Sequence, residues 1–191
     1  YHQLKNKQKK LAVIGLGYVG LPIALEFARK FQVIGFDINQ NRIAAMQAHQ
    51  DPSHELASEA FEGADIVFTA NPDDLKAAHF FVIAVPTDVD AHKVPDLTPL
   101  KKASATVGRA LKRGDYVIYE STVYPGCTEE DCQPILEQES GLVAGKDFKT
   151  GYSPERISPG DKTRTVTDIL KIVSGCDGES LEDIAQIYGE I

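Results

Sequence analysis

The chain contains 191 residues, of which 42% are hydrophobic and 25% are charged, and its formal net charge at pH 7 is −8. This length suffices for one good-sized hydrophobic core, or for one domain and the beginning of another. The acidic balance and the lack of a basic stripe argue against a nucleic-acid partner, and no apolar run approaches the ~18 residues of a membrane span.

The turn after the first predicted strand carries the most informative pattern. Residues 1–9 are polar and basic, and we predict a disordered lead-in there. An apolar strand then runs into Gly15, Gly17 and Gly20, and a mostly apolar helix follows over 20–30. This spacing is typical of a phosphate cradle, because it combines a tight turn, an open approach to the backbone and close packing of the helix. The helix N-terminus then attracts the anion.

A second predicted strand ends at Asp37, which lies 17 positions after Gly20. An acid at about this distance holds the ribose hydroxyls of a dinucleotide and repels a 2′-phosphate, so we expect NAD rather than NADP. Arg42 can lie over the adenine end of that cofactor, although an exposed arginine on a helix surface explains the residue equally well. A glycine turn with a purely structural role is the alternative to a dinucleotide site.

Strands and helices alternate along the chain. This alternation predicts an α/β fold with a doubly wound parallel sheet and helices on both faces. Ligands of such sheets bind beyond the carboxyl ends of the strands. Strand patterns lie over 11–15, 32–37, 65–69, 80–85, 116–120 and 148–152, and helical patterns over 20–30, 39–49, 97–112 and 128–139.

Short polar side chains follow two of these strands. Pro86 and Thr87 follow the strand over 80–85, and Ser121 and Thr122 follow the strand over 116–120. The hydroxyls can bond a ribose or hold a water molecule without filling the cleft, and proline fixes the direction of the backbone. A role in stabilising the turns is the alternative for each hydroxyl. Their shared position at strand ends favours a functional role.

A loop over 151–161 places a carboxylate beside a guanidinium. Glu155 can act as a general base or hold a water molecule, and Arg156 can contact an anionic or polar substrate. A surface ion pair in a turn is the alternative.

The C-terminal part of the sequence predicts one more strand over 169–174 and a helix over 180–191. That helical pattern continues to the last residue with no cap after it, so we expect the chain to be a fragment.

Three cysteines, Cys127, Cys132 and Cys176, fit neither a disulfide framework nor a zinc spacing. We therefore expect inert side chains, no metal and a reducing cytoplasm.

Three motifs of the chain are highly specific when taken together. They read Gly15-Leu-Gly-Tyr-Val-Gly-Leu-Pro22, Glu120-Ser-Thr-Val-Tyr-Pro-Gly-Cys-Thr-Glu-Glu130 and Gly151-Tyr-Ser-Pro-Glu-Arg-Ile157. With them, residues 10–191 resemble the Rossmann-type NAD-binding domain of the UDP-glucose/GDP-mannose dehydrogenase family. The likeness is greatest to the UDP-N-acetylglucosamine and UDP-N-acetylgalactosamine 6-dehydrogenases, which make uronic acid precursors of capsule, Vi-type antigen and O-antigen polysaccharides.

The resemblance implies oxidation of the C6 alcohol of a UDP-sugar to a carboxylate, with two NAD⁺ reduced per product. In the family an active-site cysteine captures the intermediate aldehyde, and water releases the acid from a thioester. That cysteine, its lysine and asparagine partners, the central dimerisation helix and the UDP-binding domain would all lie beyond position 191. The resemblance thus implies a cofactor-binding part that is inactive alone, and a full-length protein that is a homo-oligomer.

The resemblance also assigns roles to individual residues. Thr122 matches the threonine that positions a water molecule, Glu155 matches the glutamate that activates or orients the hydrolytic water, and Arg156 replaces an apolar residue of the UDP-glucose branch as a further substrate contact. The cofactor residues would be Gly15, Gly17, Tyr18, Val19, Gly20, Asp37, Arg42, Pro86, Thr87, Ser121 and Thr122.

Two departures from the family pattern stand out. Asp88 replaces a proline and adds a negative charge beside the cofactor loop, and Ser158 replaces an asparagine. A UDP-glucose or GDP-mannose 6-dehydrogenase is the alternative within the family, and an NAD-sensing module without chemistry is the alternative outside it.

Overall fold

The protein is described from a computed structural model that covers residues 1–89, 94–156 and 166–191. Helices and strands alternate, as the sequence predicts. The strands are β1 (Lys10–Ile14), β2 (Val33–Phe36), β3 (Ile66–Thr69), β4 (Ala78–Ile83), β5 (Tyr116–Tyr119), β6 (Lys149–Tyr152) and β7 (Ser174–Gly175). The helices are α1 (His2–Lys5), α2 (Gly20–Ala28), α3 (Gln40–Gln47), α4 (Thr98–Gly108), α5 (Gln133–Ser140) and α6 (Gly178–Tyr188).

The strands form one sheet in the order β3-β2-β1-β4-β5-β6-β7. β1 to β6 pair in parallel, and only the short edge strand β7 pairs antiparallel, with β6. The order reverses between β1 and β4, so the carboxyl ends of these two strands flank the crevice in which doubly wound sheets bind ligands. The predicted fold class is confirmed.

Two hydrophobic cores cover the two faces of the sheet. Successive residues of β1 alternate between them, since Leu11 and Val13 belong to one core and Ala12 and Ile14 to the other. The first core packs α2, α3 and α6 against the sheet, and the second packs α4 and α5 against the opposite face. Burial on both faces explains why the strands read as continuous apolar runs. No helix in the described ranges is long and apolar enough to cross a membrane.

The N-terminal residues differ from the predicted disordered lead-in. Residues 2–5 form the helical turn α1, in which Leu4 is buried. Lys5 forms an ion pair of 2.6 Å with Glu190, and the amino group of Tyr1 lies 3.4 Å from Asp183 on α6. Leu4 in the first core, Tyr1 packed against that core and these charge contacts hold a segment that its polar composition alone assigns to solvent.

The predicted strand over 169–174 is mostly absent. Only Ser174 and Gly175 pair with β6, and the preceding residues run alongside the sheet edge without pairing to it. Leu170 and Ile172 are exposed, whereas the side chain of Lys171 is almost fully enclosed. Inward and exposed side chains therefore alternate here as they do in a strand, but the middle inward position is taken by Lys171.

The C-terminal helix ends inside the chain rather than continuing to the last residue. α6 ends at Tyr188 with Gly189 as its C-cap, and Asp177 caps its N-terminus by accepting a hydrogen bond of 2.8 Å from the backbone N–H of Ser180. Its buried face packs on α2, where the rings of Tyr188 and Phe27 meet edge to face at 5.4 Å. The helix is thus an integral part of the first core.

The packing of α6 can be tested with two substitutions on the same helix. Ile184 is fully buried and Leu181 is 42% exposed. Because Ile184→Ala leaves a cavity in the core, we expect it to lower the free energy of unfolding by about 2–5 kcal/mol. Leu181→Ala is the control and should change it by less than about 0.5 kcal/mol. Urea denaturation measures both values, and an equal effect of the two would contradict the packing described.

Candidate functional site

The glycine turn after β1 has the geometry of a phosphate cradle. Gly15 has a φ of +88°, which side chains rarely adopt, and its N–H donates to the carbonyl of Phe36 at 2.9 Å. A Cβ atom on Gly20 would lie 1.8 Å from the carbonyl oxygen of Gly15, so only glycine allows the helix to begin this close to the strand. A Cβ atom on Gly17 would meet nothing within 4 Å. Gly17 therefore faces open space, as a glycine beneath a pyrophosphate does.

The N-terminus of α2 is left open toward this space. Val19 is the N-cap, and it makes no side-chain capping hydrogen bond. The first turn carries no acidic residue. Since helix N-termini carry partial positive charge and N–H groups that need acceptors, this end of α2 suits a phosphate group.

Asp37 lies directly after β2, and its carboxylate bonds the backbone of the glycine turn. One carboxylate oxygen accepts a hydrogen bond of 2.9 Å from the N–H of Leu16, and the other accepts one of 2.9 Å from the N–H of Asn39. A carboxylate has about four acceptor positions, so these bonds leave capacity for the two hydroxyls of a ribose. The geometry fits the role predicted for this acid.

Arg42 also contacts the glycine turn. Its guanidinium donates to the carbonyl of Leu16 at 3.2 Å and to the hydroxyl of Ser53 at 3.1 Å. The residue is half-buried, which differs from the alternative of an exposed arginine on a helix surface. The N-cap Asn39 positions α3, and thereby Arg42, by accepting hydrogen bonds from two backbone N–H groups of the first turn. Asp37 and Arg42 thus flank Leu16 together.

The loops after β4 and β5 are joined by hydroxyl groups. Ser121 donates to the carbonyl of Val85 at 2.7 Å, and Thr87 donates to the carbonyl of Thr122 at 2.6 Å. Each loop therefore donates one side-chain hydrogen bond to a backbone carbonyl of the other loop. Ser121 is buried and Thr122 is exposed, so the serine stabilises the turn while the hydroxyl of Thr122 can meet a ligand.

Most predicted site residues surround one cavity of about 150 Å³ at the carboxyl ends of β1, β4 and β5. Glu155 lines the cavity, whereas its neighbour Arg156 is exposed and is not part of the lining. Residues 157–165, with Ser158, Pro159 and Gly160 among them, fall outside the described residues. The lining consists of Gly17, Tyr18, Val19, Ala84, Val85, Pro86, Thr87, Glu120, Ser121, Thr122 and Glu155.

Glu120 is the functional candidate that the sequence reasoning missed. We placed it inside a buried strand, but β5 ends one residue earlier and Glu120 occupies the strand-end position where ligands bind. It is 1% exposed, forms an ion pair with Lys171 and accepts a hydrogen bond of 2.8 Å from the hydroxyl of Tyr188. Burial raises the pKa of the Glu120 carboxyl, and Lys171 and Tyr188 oppose this effect. A charged residue at the end of an apolar run was the signal available.

The cysteines and Asp88 lie outside this lining. Cys127 and Cys132 are buried, and burial raises the pKa of the Cys127 thiol and raises that of Cys132 to about 12, so both stay protonated and unreactive. Cys176 is exposed. Asp88 is exposed, and its carbonyl accepts a hydrogen bond of 2.7 Å from the N–H of Asp96.

Comparison with known proteins identifies relatives of the whole chain. The family model described as UDP-glucose/GDP-mannose dehydrogenase family, NAD binding domain, matches residues 9–191. The chain is 54% identical over 186 residues to UDP-N-acetyl-D-glucosamine 6-dehydrogenase of Pseudomonas aeruginosa, covering 97% of this chain and 44% of that protein. It is 52% identical over 183 residues to protein CapL of Staphylococcus aureus, covering 96% and 43%.

A solved structure shares the fold at lower identity. The UDP-D-ManNAc dehydrogenase of Pyrococcus horikoshii superposes with a TM-score of 0.84 at 32% identity, covering 95% of this chain and 44% of that one. The chain therefore spans less than half the length of the relatives that it matches.

Two glycine substitutions separate ligand approach from folding. Because a methyl group on Gly17 enters open space, Gly17→Ala should leave the unfolding temperature within about 2 °C of the original value. The same methyl would obstruct a pyrophosphate on the backbone, so we expect NAD⁺ affinity to fall by at least about tenfold.

Gly20→Ala, in contrast to Gly17→Ala, should lower the stability of the fold. Its methyl would meet the Gly15 carbonyl oxygen, so we expect a loss of about 1–3 kcal/mol in the free energy of unfolding. Thermal unfolding and calorimetric NAD⁺ titration of both variants make the comparison. Unaltered NAD⁺ affinity of Gly17→Ala would refute a pyrophosphate over Gly17.

Proposed function

Because this chain belongs to the UDP-glucose/GDP-mannose dehydrogenase family and forms its NAD-binding domain, we propose that it is the cofactor-binding part of a UDP-N-acetylhexosamine 6-dehydrogenase. The proposal is supported chiefly by identity. The chain is 54% identical to a UDP-N-acetyl-D-glucosamine 6-dehydrogenase and 32% identical to a UDP-D-ManNAc dehydrogenase of known structure. The reaction would oxidise the C6 hydroxyl of the sugar to a carboxylate. The product would be a precursor for the synthesis of a bacterial surface polysaccharide.

The residues present fit an NAD molecule laid across the carboxyl edge of the sheet. When bound, NAD⁺ accepts a hydride from the carbon that carries the alcohol. In this proposal the carboxylate of Asp37 binds the adenine ribose, and Arg42 lies at the adenine end. The pyrophosphate rests over Gly17 at the open N-terminus of α2, with Gly15 and Gly20 shaping the turn beneath it and Tyr18 and Val19 beside it.

The nicotinamide end would occupy the cavity between the loops after β4 and β5. Pro86 and Thr87 form one wall, and the locked pair of Ser121 and Thr122 forms the other. Two side chains remain for the substrate side of the cavity in this proposal: the exposed hydroxyl of Thr122 positions a water molecule, and Glu155 accepts a proton from it or orients it. Arg156 contacts the polar substrate from the same loop.

We propose that the nucleophile that captures an aldehyde comes from another part of the protein, because none of Cys127, Cys132 and Cys176 lines the cavity. Cys127 and Cys132 are buried thiols with raised pKa values. Activated cysteines in enzymes have lowered pKa values and accessible sulfur atoms. We therefore propose that the second oxidation and the release of the acid depend on a further domain, as the greater length of the relatives suggests.

Asp37 can be tested for its role in cofactor choice. Asp37→Asn removes the charge and one acceptor oxygen, so NAD⁺ affinity should fall by about 10- to 100-fold, the cost of one to three kcal/mol of unpaired ribose hydrogen bonds. The preference for NAD⁺ over NADP⁺ should narrow, because the repulsion of a 2′-phosphate is gone. Glu139→Gln on α5 makes the same change of charge away from the cavity and should leave both affinities unaltered. Equal NAD⁺ affinity of the two variants would contradict a role of Asp37 in cofactor binding.

A chimera tests the proposed activity. Residues 10–191 would replace the matching part of the Pseudomonas aeruginosa relative, whose remaining residues supply the other domains. The chimera should form NADH with UDP-N-acetyl-D-glucosamine, whereas the 191-residue chain alone should form none with any UDP-sugar. The unmodified relative is the positive control, and Gly17→Ala in the chimera is the negative one. A folded chimera that binds NAD⁺ but does not oxidise the sugar would contradict the proposal, as would turnover by the chain alone.

A further inference from the structure

The strongest unassigned feature of the protein is a buried ion pair beside the candidate nicotinamide cavity. The carboxylate of Glu120 contacts the ammonium group of Lys171, and the two side chains are 0% and 6% exposed. The other carboxylate oxygen accepts a hydrogen bond of 2.8 Å from the hydroxyl of Tyr188, which is also buried. Residues from the loop after β5, from the edge segment before β7 and from α6 therefore meet at one point.

The two charges stand at different depths relative to the cavity. Glu120 lines the cavity together with Gly17 and Thr122. Lys171 lines a separate cavity of about 450 Å³, whose walls include Tyr188 and Gly189. Glu120 is thus the member of the pair that borders the candidate cofactor site, and Lys171 borders the separate cavity. This placement also explains why a lysine takes the inward position in the edge segment.

Stability alone does not account for such a pair. Removing two charges from water is costly, and apolar residues of similar volume commonly stabilise a protein as well or better. Lys171 partly offsets the effect of burial on Glu120 and so favours its ionised form. The pair therefore favours a negative charge on Glu120, enclosed beside the cavity that this residue lines.

We propose that the Glu120–Lys171 pair sets the relative affinity of this domain for the oxidised and the reduced cofactor. This inference rests on the proposed function, which places the nicotinamide ring in the cavity that Glu120 lines. The ring carries a positive charge in NAD⁺ and none in NADH. A carboxylate nearer to the ring than its lysine partner favours NAD⁺, because Coulombic attraction in a poorly solvated site acts on the charged ring only. Glu155 lines the same cavity and is kept in every variant.

The charges predict an ordered series of four proteins in the ratio of the NAD⁺ dissociation constant to that of NADH. Lys171→Met leaves the carboxylate uncompensated and should give the lowest ratio. The original chain comes next, and the double variant E120Q/K171M, which has no charge there, should give a higher ratio. Glu120→Gln leaves only the ammonium group and should give the highest. Each single variant should shift the ratio by about tenfold from the original chain, in opposite directions.

Calorimetric titration with NAD⁺ and with NADH measures the series. A purely structural role of the pair would weaken both cofactors together and leave the ratio constant. Tyr188→Phe is the matched control, since it removes a hydrogen bond to Glu120 without altering charge and should keep the ratio within about twofold while lowering stability.

The outcomes separate this inference from the proposed function. Binding of both cofactors with an unaltered ratio, or shifts of both single variants in the same direction, would overturn the role of the pair and leave the NAD site intact. Failure of the original chain to bind either cofactor would overturn the proposed function and this inference with it. Should a single variant not fold, the charge-neutral double variant tests the proposal. Its ratio of NAD⁺ to NADH dissociation constants must exceed that of the original chain.

Discussion

The approach of α2 to the end of β1 is the contact on which the site depends. A Cβ atom at Gly20 would lie 1.8 Å from the carbonyl oxygen of Gly15, so the helix can begin at this distance only with a bare backbone. The approach places Leu16 where its N–H bonds Asp37 and its carbonyl bonds Arg42. It also directs the uncapped N-terminus of α2 over the crevice between β1 and β4. One turn thus positions both the side proposed for the adenine and the side proposed for the nicotinamide.

The parts of this arrangement that are local in sequence could be predicted. The spacing of the three glycines, the apolar runs of the central strands and the acid after β2 each follow from rules on adjacent residues, and the strand-end rule located the residues after β4 and β5. The alternation of strands and helices likewise predicts a doubly wound parallel sheet, and that fold class is confirmed. The family was identified by the resemblance of three motifs and is confirmed.

The parts that depend on distant contacts could not be predicted. Glu120 and Lys171 are 51 positions apart, and no local pattern links a carboxylate at a strand end to a lysine in an edge segment. Lys171 also lies in the segment 170–173, which was predicted as part of a strand and does not form one. The helical turn α1 is held by Leu4 and by charges on α6 from the other end of the chain, so its composition alone suggested disorder. Tertiary contacts decided each of these cases against the local preference.

The central claim is that the glycine turn, Asp37 and the cavity between the loops after β4 and β5 form a working NAD site. Calorimetric titration of the 191-residue chain with NAD⁺ and, separately, with NADP⁺ tests it most directly, because it requires neither substrate nor any further domain. The account predicts saturable binding with one NAD⁺ per chain and weaker or undetectable binding of NADP⁺. Equal affinity for the two cofactors would contradict the role of Asp37, and no binding of either would contradict the site itself.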